Sequence, residues 1–221
     1  MADEIEIPAA LRAAVARDLR PVRPLARPLA RLVWVVPVAI AVVAATVAVF
    51  GVRRDAPQLG MTLTWIASGL QLVLGLALVA AALRESVPGT TLSRRAIGLV
   101  LGTGIIVTVT VTFMTWMVSP TRIAPEFVRY VWSVCVAGTI AAALPVLAVS
   151  GWLAARAFPL RPRIAGALYG LGAGLVADAG WRLFCHFSDP VHVLGAHTLA
   201  VAIVVAVAAL TAQPPRRTLK I

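Results

Sequence analysis

Six apolar runs of about 20 residues or more follow one another through most of this chain, with short polar segments between them. They lie at about 31–52, 60–83, 96–118, 128–156, 164–186 and 191–212. A helix of about 20 residues crosses the ~30 Å hydrocarbon core of a bilayer, because each residue advances about 1.5 Å. The runs are too long and too weakly alternating for membrane-spanning strands. The sequence therefore predicts an all-α polytopic membrane protein, built as a six-transmembrane-helix bundle with short loops.

Composition supports a lipid environment for most of the chain. Of the 221 residues, 60% are hydrophobic and only 13% are charged, about half the charged share of an ordinary soluble domain. A soluble domain of this length has too little interior to cover that much apolar surface. The net charge of +11 comes from basic residues that lie between the apolar runs rather than on one periodic face. We therefore expect the lipid bilayer as a partner and no direct contact with nucleic acid.

The distribution of basic residues predicts the orientation. If the N-terminus is cytoplasmic, 15 of the 20 Lys and Arg residues lie in cytoplasmic segments. Cytoplasmic loops of membrane proteins carry such an excess of positive charge. The sequence thus predicts an N-in/C-in topology, with a cytoplasmic leader at 1–30, the membrane domain at 31–212 and a cytoplasmic tail at 213–221.

The leader is predicted to hold a short amphipathic helix followed by a stiff tether. Pro8 stands at a suitable first helical position, and helix-forming residues follow it. Leu11, Val15 and Leu19 recur every four residues and would share one face of that helix. The prolines between residues 20 and 28 then favour an extended backbone.

Under this topology both cysteines lie at the outer edge of the membrane. Cys135 falls near the start of the fourth run, and Cys185 falls at the end of the fifth. Three interpretations stay open: two small buried residues, a reversible disulfide, or a metal site that combines thiolates with imidazoles. The periplasm of a Gram-negative cell lies on that side and is oxidising, which permits a disulfide. Thiolate and imidazole ligands together suit zinc, cadmium or copper.

The histidines fall at the same outer level. His186 and His192 flank a turn and could converge, whereas His192 and His197 stand five residues apart. On a regular helix that spacing separates two side chains by about 140°, which is unfavourable for a shared ligand. The candidate metal ligands are Cys135, Cys185, His186, His192 and His197, and the candidate redox pair is Cys135 with Cys185.

The fifth run ends in an acid–base pair. Asp178 and Arg182 stand four residues apart, a spacing at which side chains of one helix meet. Charges inside a membrane are costly and usually paired, so we interpret the two as a structural ion pair that braces the Cys185 segment. The scarcity of charge within the apolar runs argues against a transporter. The sequence shows no recognisable catalytic constellation, so we expect neither an enzyme nor a cofactor beyond a sensed metal ion.

Several stretches together resemble a known family. They are the leader segment Asp18-Leu-Arg-Pro-Val-Arg-Pro-Leu25, the Val87-Pro-Gly89 turn, and Trp181-Arg-Leu-Phe-Cys185 followed by Ser188-Asp-Pro-Val-His192 and His197. With six short-looped runs around them, they make the chain similar to the DUF1109 family, the NrsF-type anti-sigma factors of proteobacteria. The resemblance covers nearly the whole chain. One departure is His186, which stands where members of the family often have proline.

The resemblance implies a protein of the bacterial inner membrane that holds an extracytoplasmic-function sigma factor inactive. The leader would bind the sigma factor, with Leu11, Val15 and Leu19 as candidate contacts. Cys135 and Cys185 would take part in sensing a metal or redox signal on the periplasmic side. Two alternatives stay open. The leader helix could lie on the bilayer surface instead, and the outer histidines could serve a small membrane metalloprotein or a haem or quinone redox protein.

Overall fold

The backbone is helical between short loops throughout residues 8–18 and 25–212, which the computed structural model describes. We number the helices α1 (Ala9–Asp18), α2 (Pro28–Phe50), α3 (Ala56–Glu85), α4 (Arg94–Val118), α5 (Pro125–Ala155), α6 (Pro162–Phe184) and α7 (Pro190–Thr211). The all-α prediction is confirmed for this part of the chain. Leu19 and the predicted tail at 213–221 lie outside the described residues.

Five of the described helices are long and apolar enough to cross a membrane, namely α2, α3, α4, α5 and α7. The remaining long helix, α6, has 23 residues and is buried along most of its length. Each of α2 to α7 overlaps one of the apolar runs in the sequence. That six helices cross a bilayer stays a prediction, as does their orientation.

Helix α6 forms the centre of the bundle and packs against α2, α3, α5 and α7. Glycines permit these close contacts, since a Cβ atom added to Gly172 would lie 2.6 Å from the carbonyl oxygen of Gly75 on α3. On another face, a Cβ added to Gly166 would lie 2.6 Å from the carbonyl oxygen of Ala208 on α7. Close approach of backbones through small residues stabilises helix pairs where burial from water cannot. By contrast, α4 is peripheral and buries only Thr112 and Thr115 among its described residues.

The join between the leader and the bundle differs from the sequence prediction. Pro28 was expected to extend the tether, but it occupies the first turn of α2. Proline is tolerated there because the first turn has no intrahelical acceptor for its missing N–H. In α1, Leu11 and Val15 are 54% and 53% exposed, so the described bundle leaves this apolar pair uncovered.

The helices alternate in direction, so the bundle has two distinct ends. We call the end with Cys135 and Cys185 the cysteine end, and the opposite end, where α2 begins, the leader end. At the leader end the buried Arg31 guanidinium donates hydrogen bonds to the carbonyl oxygens of Leu83 at 2.6 Å and Leu153 at 3.1 Å. These carbonyls belong to the last turns of α3 and α5, where backbone acceptors lack helical partners. A single side chain therefore ties the start of α2 to the ends of two other helices.

Candidate functional site at the cysteine end

The two cysteines meet although 50 positions separate them in the chain. Cys135 lies ten residues after the start of α5, and Cys185 directly follows the last residue of α6. Both side chains are buried, both thiols are free, and their Sγ atoms are 4.0 Å apart. An apolar shell surrounds them, formed by Val131, Trp132, Val136 and Phe187. The two sulfurs are thus close neighbours that are not bonded to each other.

Two imidazoles join the sulfurs. His192 places Nε2 at 3.5 Å from the Sγ atom of Cys185, and His197 packs its ring perpendicular to that of His192 with centroids 5.3 Å apart. The ligand atoms of Cys135, Cys185, His192 and His197 all lie within 4.8 Å of one another. All four residues are buried. We call this set the sulfur–imidazole cluster.

The pairing of His192 with His197 overturns the expectation that they point apart. Val193–His197 forms a π-helical turn, in which hydrogen bonds span five residues instead of four. This wider turn brings residues five apart to one side of the helix. Such turns are rare and often occur at functional sites. Gly195 lies within the turn, where an added Cβ would collide with the indole of Trp132.

His186 lies apart from the sulfur–imidazole cluster. Its ring is half-buried and stacks obliquely on Phe187, with ring centroids 4.2 Å apart. Its backbone carbonyl accepts a hydrogen bond from the hydroxyl of Thr121. Of the candidate ligands named from the sequence, the structure therefore brings together four and leaves His186 outside.

Asp178 connects the cluster to the rest of the bundle. Its Oδ1 atom lies 2.5 Å from Nδ1 of His197, and its Oδ2 atom accepts from Nε of Arg182 at 3.2 Å and from the side-chain amide of Gln71. The carboxylate favours a proton on Nδ1 of His197, so that in the neutral ring Nε2 carries the lone pair. Within the described part of the chain, Nε2 of His197 is buried and has no hydrogen-bond partner.

The sequence analysis missed two partners in this network. Gln71 on α3 donates to Asp178, and Thr112 on α4 accepts from Arg182 at 3.0 Å. A buried amide in an apolar run indicates a polar partner, so Gln71 carried a recognisable signal. No such signal marked Thr112, because the hydroxyl of a threonine in a membrane helix commonly donates a hydrogen bond to a backbone carbonyl of its own helix. It also does so here, donating to the carbonyl oxygen of Thr108.

A second set of buried polar side chains lies at the cysteine end. Arg53 pairs with Asp55 through two contacts of 2.6 and 2.8 Å, and Ser119 donates to the same carboxylate at 2.8 Å. Burial alone would raise the pKa of Asp55, but these hydrogen bonds and the charge of Arg53 outweigh it and lower that pKa. The backbone N–H of Arg53 also donates to the carbonyl of Leu183 at 2.7 Å. The loop after α2 is therefore held against the end of α6, next to Cys185.

Comparison with known proteins decides the family. The family model described as "NrsF: Negative regulator of sigma F" matches residues 15–217. The chain belongs to this family. The match includes part of the leader and all four residues of the sulfur–imidazole cluster, and it confirms the resemblance noted from the sequence. Neither the curated proteins nor the solved structures that were searched contain a match. The chain is thus a member of a family of regulators that act negatively on a sigma factor.

Proposed function

We propose that the protein is an anti-sigma factor of the bacterial inner membrane, which sequesters an extracytoplasmic-function sigma factor through its leader. Release follows a metal or redox signal received at the cysteine end. The family match over residues 15–217 is the observation that carries this proposal. The convergence of two thiols and two imidazoles at one end of an apolar bundle supports a sensing role for that end.

The proposed topology places the two ends of the bundle in different compartments. Six alternating spans with a cytoplasmic N-terminus put the leader end in the cytoplasm and the cysteine end at the periplasmic face. The predominance of basic residues in the segments at the leader end supports this orientation. A sigma factor works in the cytoplasm, whereas oxidising chemistry belongs to the periplasm. The topology thus places each proposed activity in the compartment it requires.

Helix α1 is the proposed contact with the sigma factor. Leu11 and Val15 share one face and are more than half exposed. An amphipathic helix that docks in a groove on its partner presents apolar side chains at such a spacing. Leu19, outside the described residues, would continue the same face.

Introducing negative charge on the apolar face tests this contact. Replacing Leu11→Glu together with Val15→Glu should weaken sigma-factor binding roughly tenfold or more, because a carboxylate cannot enter an apolar groove without loss of hydration. Binding is measured by capture of the sigma factor on the full-length protein in detergent. The matched control is Ala9→Glu with Ala13→Glu, which adds the same charge to the opposite face of the helix. Equal binding by both double variants would show that this apolar face is not the contact.

The cysteine pair is the proposed sensor. Oxidation would join the two sulfurs and pass two electrons to an external thiol oxidant, with loss of both thiol protons; a cation would instead bridge the two thiolates. Either event shortens the 4.0 Å separation between the Sγ atoms of Cys135 on α5 and Cys185 after α6. Such a change can release the sigma factor only if its free energy differs between the bound and free states.

Serine substitution tests the sensor. A chain with both Cys135→Ser and Cys185→Ser should hold the sigma factor but lose the response of a sigma-dependent reporter to cadmium, chromate or a thiol oxidant. Serine keeps the size but neither forms a disulfide nor supplies a soft ligand. Ala143→Ser is the control, since it adds a hydroxyl at a buried position of α5 about two turns from Cys135. Full induction in the double variant would rule out the cysteine pair as the sensor.

A further inference from the structure

We propose that the sulfur–imidazole cluster is a tetrahedral binding site for one thiophilic divalent cation with a filled d shell, Zn²⁺ or Cd²⁺. The ligands are Sγ of Cys135 and Cys185 and Nε2 of His192 and His197. Asp178 acts as a positioning residue that holds His197. The inference rests on the proposed function, and it names the kind of ligand that the sensing site takes.

The distances fit this coordination. With bonds of about 2.3 Å to sulfur and about 2.0 Å to nitrogen, a tetrahedral site places its two sulfurs about 3.8 Å apart and each sulfur about 3.5 Å from a nitrogen. The structure has 4.0 Å between the sulfurs and 3.5 Å from Cys185 Sγ to His192 Nε2. The remaining separations do not exceed 4.8 Å. Closing the site around a cation therefore requires side-chain shifts of about 1 Å or less. Two thiolates with two imidazoles are a common ligand set for structural zinc.

The surroundings of His197 are those of a metal-binding histidine. Ligand histidines usually donate their second ring N–H to a carboxylate, which fixes the tautomer and increases the basicity of the coordinating nitrogen. Asp178 stands at 2.5 Å from Nδ1 of His197 in that role. The opposite nitrogen, Nε2, is buried without a hydrogen-bond partner among the described residues, although buried polar atoms are normally paired. A cation bound to Nε2 would give this atom a partner.

Charge balance permits such a site inside an apolar bundle. A divalent cation that binds two thiols displaces two protons, and the resulting two thiolates cancel its charge. Asp178 and Arg182 neutralise each other beside it, at 3.2 Å. The filled site and its second shell therefore carry no net charge, as an environment of low dielectric demands.

The site joins several helices. Cys135 belongs to α5, Cys185 follows α6, and His192 and His197 lie in the first turns of α7. Through Asp178, the His197 side chain is also linked to Gln71 on α3. A bound cation would link α5, the end of α6 and α7 directly. Binding of the cation therefore favours one arrangement of these three helices over others.

The test is direct binding by the reduced, chelator-treated full-length protein in detergent. Titration with Co²⁺ should give thiolate-to-metal charge-transfer absorption and the intense d–d bands of tetrahedral cobalt, saturating at one ion per chain. Zn²⁺ and Cd²⁺ should each displace the cobalt, and binding should release about two protons per cation. Absence of saturable binding, or octahedral spectra without thiolate bands, would overturn the proposal.

Variants then assign the ligands. His192→Ala and His197→Ala should each lose the tetrahedral cobalt spectrum, whereas His186→Ala, the matched control, should keep it. Asp178→Asn should weaken cation binding about 10- to 100-fold while retaining the spectrum. An equal loss in His186→Ala, or full affinity in His197→Ala, would contradict the assignment.

Sigma-factor capture on the same preparations separates this inference from the proposed function. If the cation fails to bind while capture and cysteine-dependent release persist, the metal site is wrong and a redox sensor stands. If the cation binds but no sigma factor is captured, the metal site stands and the anti-sigma role is wrong.

Discussion

Replacing Asp178→Leu should destabilise the bundle by about 3–5 kcal/mol, the cost of removing one partner from a buried ion pair. The leucine would leave the guanidinium of Arg182, Nδ1–H of His197 and the amide of Gln71 without their common acceptor. Each group would then face an environment in which an unpaired donor is expensive. The free energy of unfolding in mixed detergent micelles measures the loss.

Two further variants make this prediction specific to the charge. Asp178→Asn keeps the shape and one acceptor oxygen, so it should cost less than Asp178→Leu. Adding Arg182→Leu to Asp178→Leu should restore part of the stability, because the unpaired cation is removed as well. A double variant no more stable than Asp178→Leu alone would mean that the ion pair is not what Asp178 contributes.

The second large effect concerns the contact between α3 and α6. Gly75→Ala should destabilise the protein by about 1–3 kcal/mol, because its new methyl group would lie 2.8 Å from the carbonyl oxygen of Gly172 and 2.9 Å from Cγ2 of Val176. Backbone atoms cannot rotate away as a side chain can, so the two helices must separate. Lost packing is serious in a membrane, where burial from water does not drive helix association.

The control lies on the same helix. A Cβ atom added to Gly69 has no described atom within 4 Å, so Gly69→Ala should be neutral or stabilise the helix by up to about 1 kcal/mol. Opposite signs for one substitution at two positions of α3 would identify close packing as the cause. Destabilisation of similar size at both positions would contradict it. Thermal denaturation in detergent, followed by circular dichroism, distinguishes these outcomes.

The helices could be predicted from the sequence because one physical requirement determines them. In the hydrocarbon of a membrane, backbone N–H and C=O groups must form hydrogen bonds within the protein because no water is present. A long apolar run satisfies them most directly by forming a helix. Run length also located the elements well; the first run was predicted at about 31–52, and α2 spans Pro28–Phe50. The three-residue difference at its start arises because Pro28 can begin a helix but cannot continue one.

The site was harder to predict than the helices. Topology placed Cys135 and Cys185 at one level of the bundle, yet it could not show that their sulfurs lie 4.0 Å apart, which depends on how α5 packs against α6. The pairing of His192 with His197 depends on the π-helical turn between them, and a regular helical period predicts the opposite. Gln71 could have been recognised as needing a partner, but only packing shows that the partner is Asp178.

The hydrogen bond of Arg31 to α5 offers a route by which a change at the cysteine end can reach the leader end. Its guanidinium donates a hydrogen bond to the carbonyl oxygen of Leu153, near the C-terminal end of α5. Cys135 lies toward the N-terminal end of the same helix, 18 residues and about 27 Å from Leu153 along the axis. Pro145 lies between these two positions and removes a backbone hydrogen bond of the helix, so the helix can bend there. Tilting the half that carries Leu153 by about 5° about Pro145 moves Leu153 by about 1 Å. A displacement of that size is enough to break the hydrogen bond between the Arg31 guanidinium and the Leu153 carbonyl oxygen. One helix, α5, therefore connects the Arg31 contact at the leader end with the sulfurs at the cysteine end.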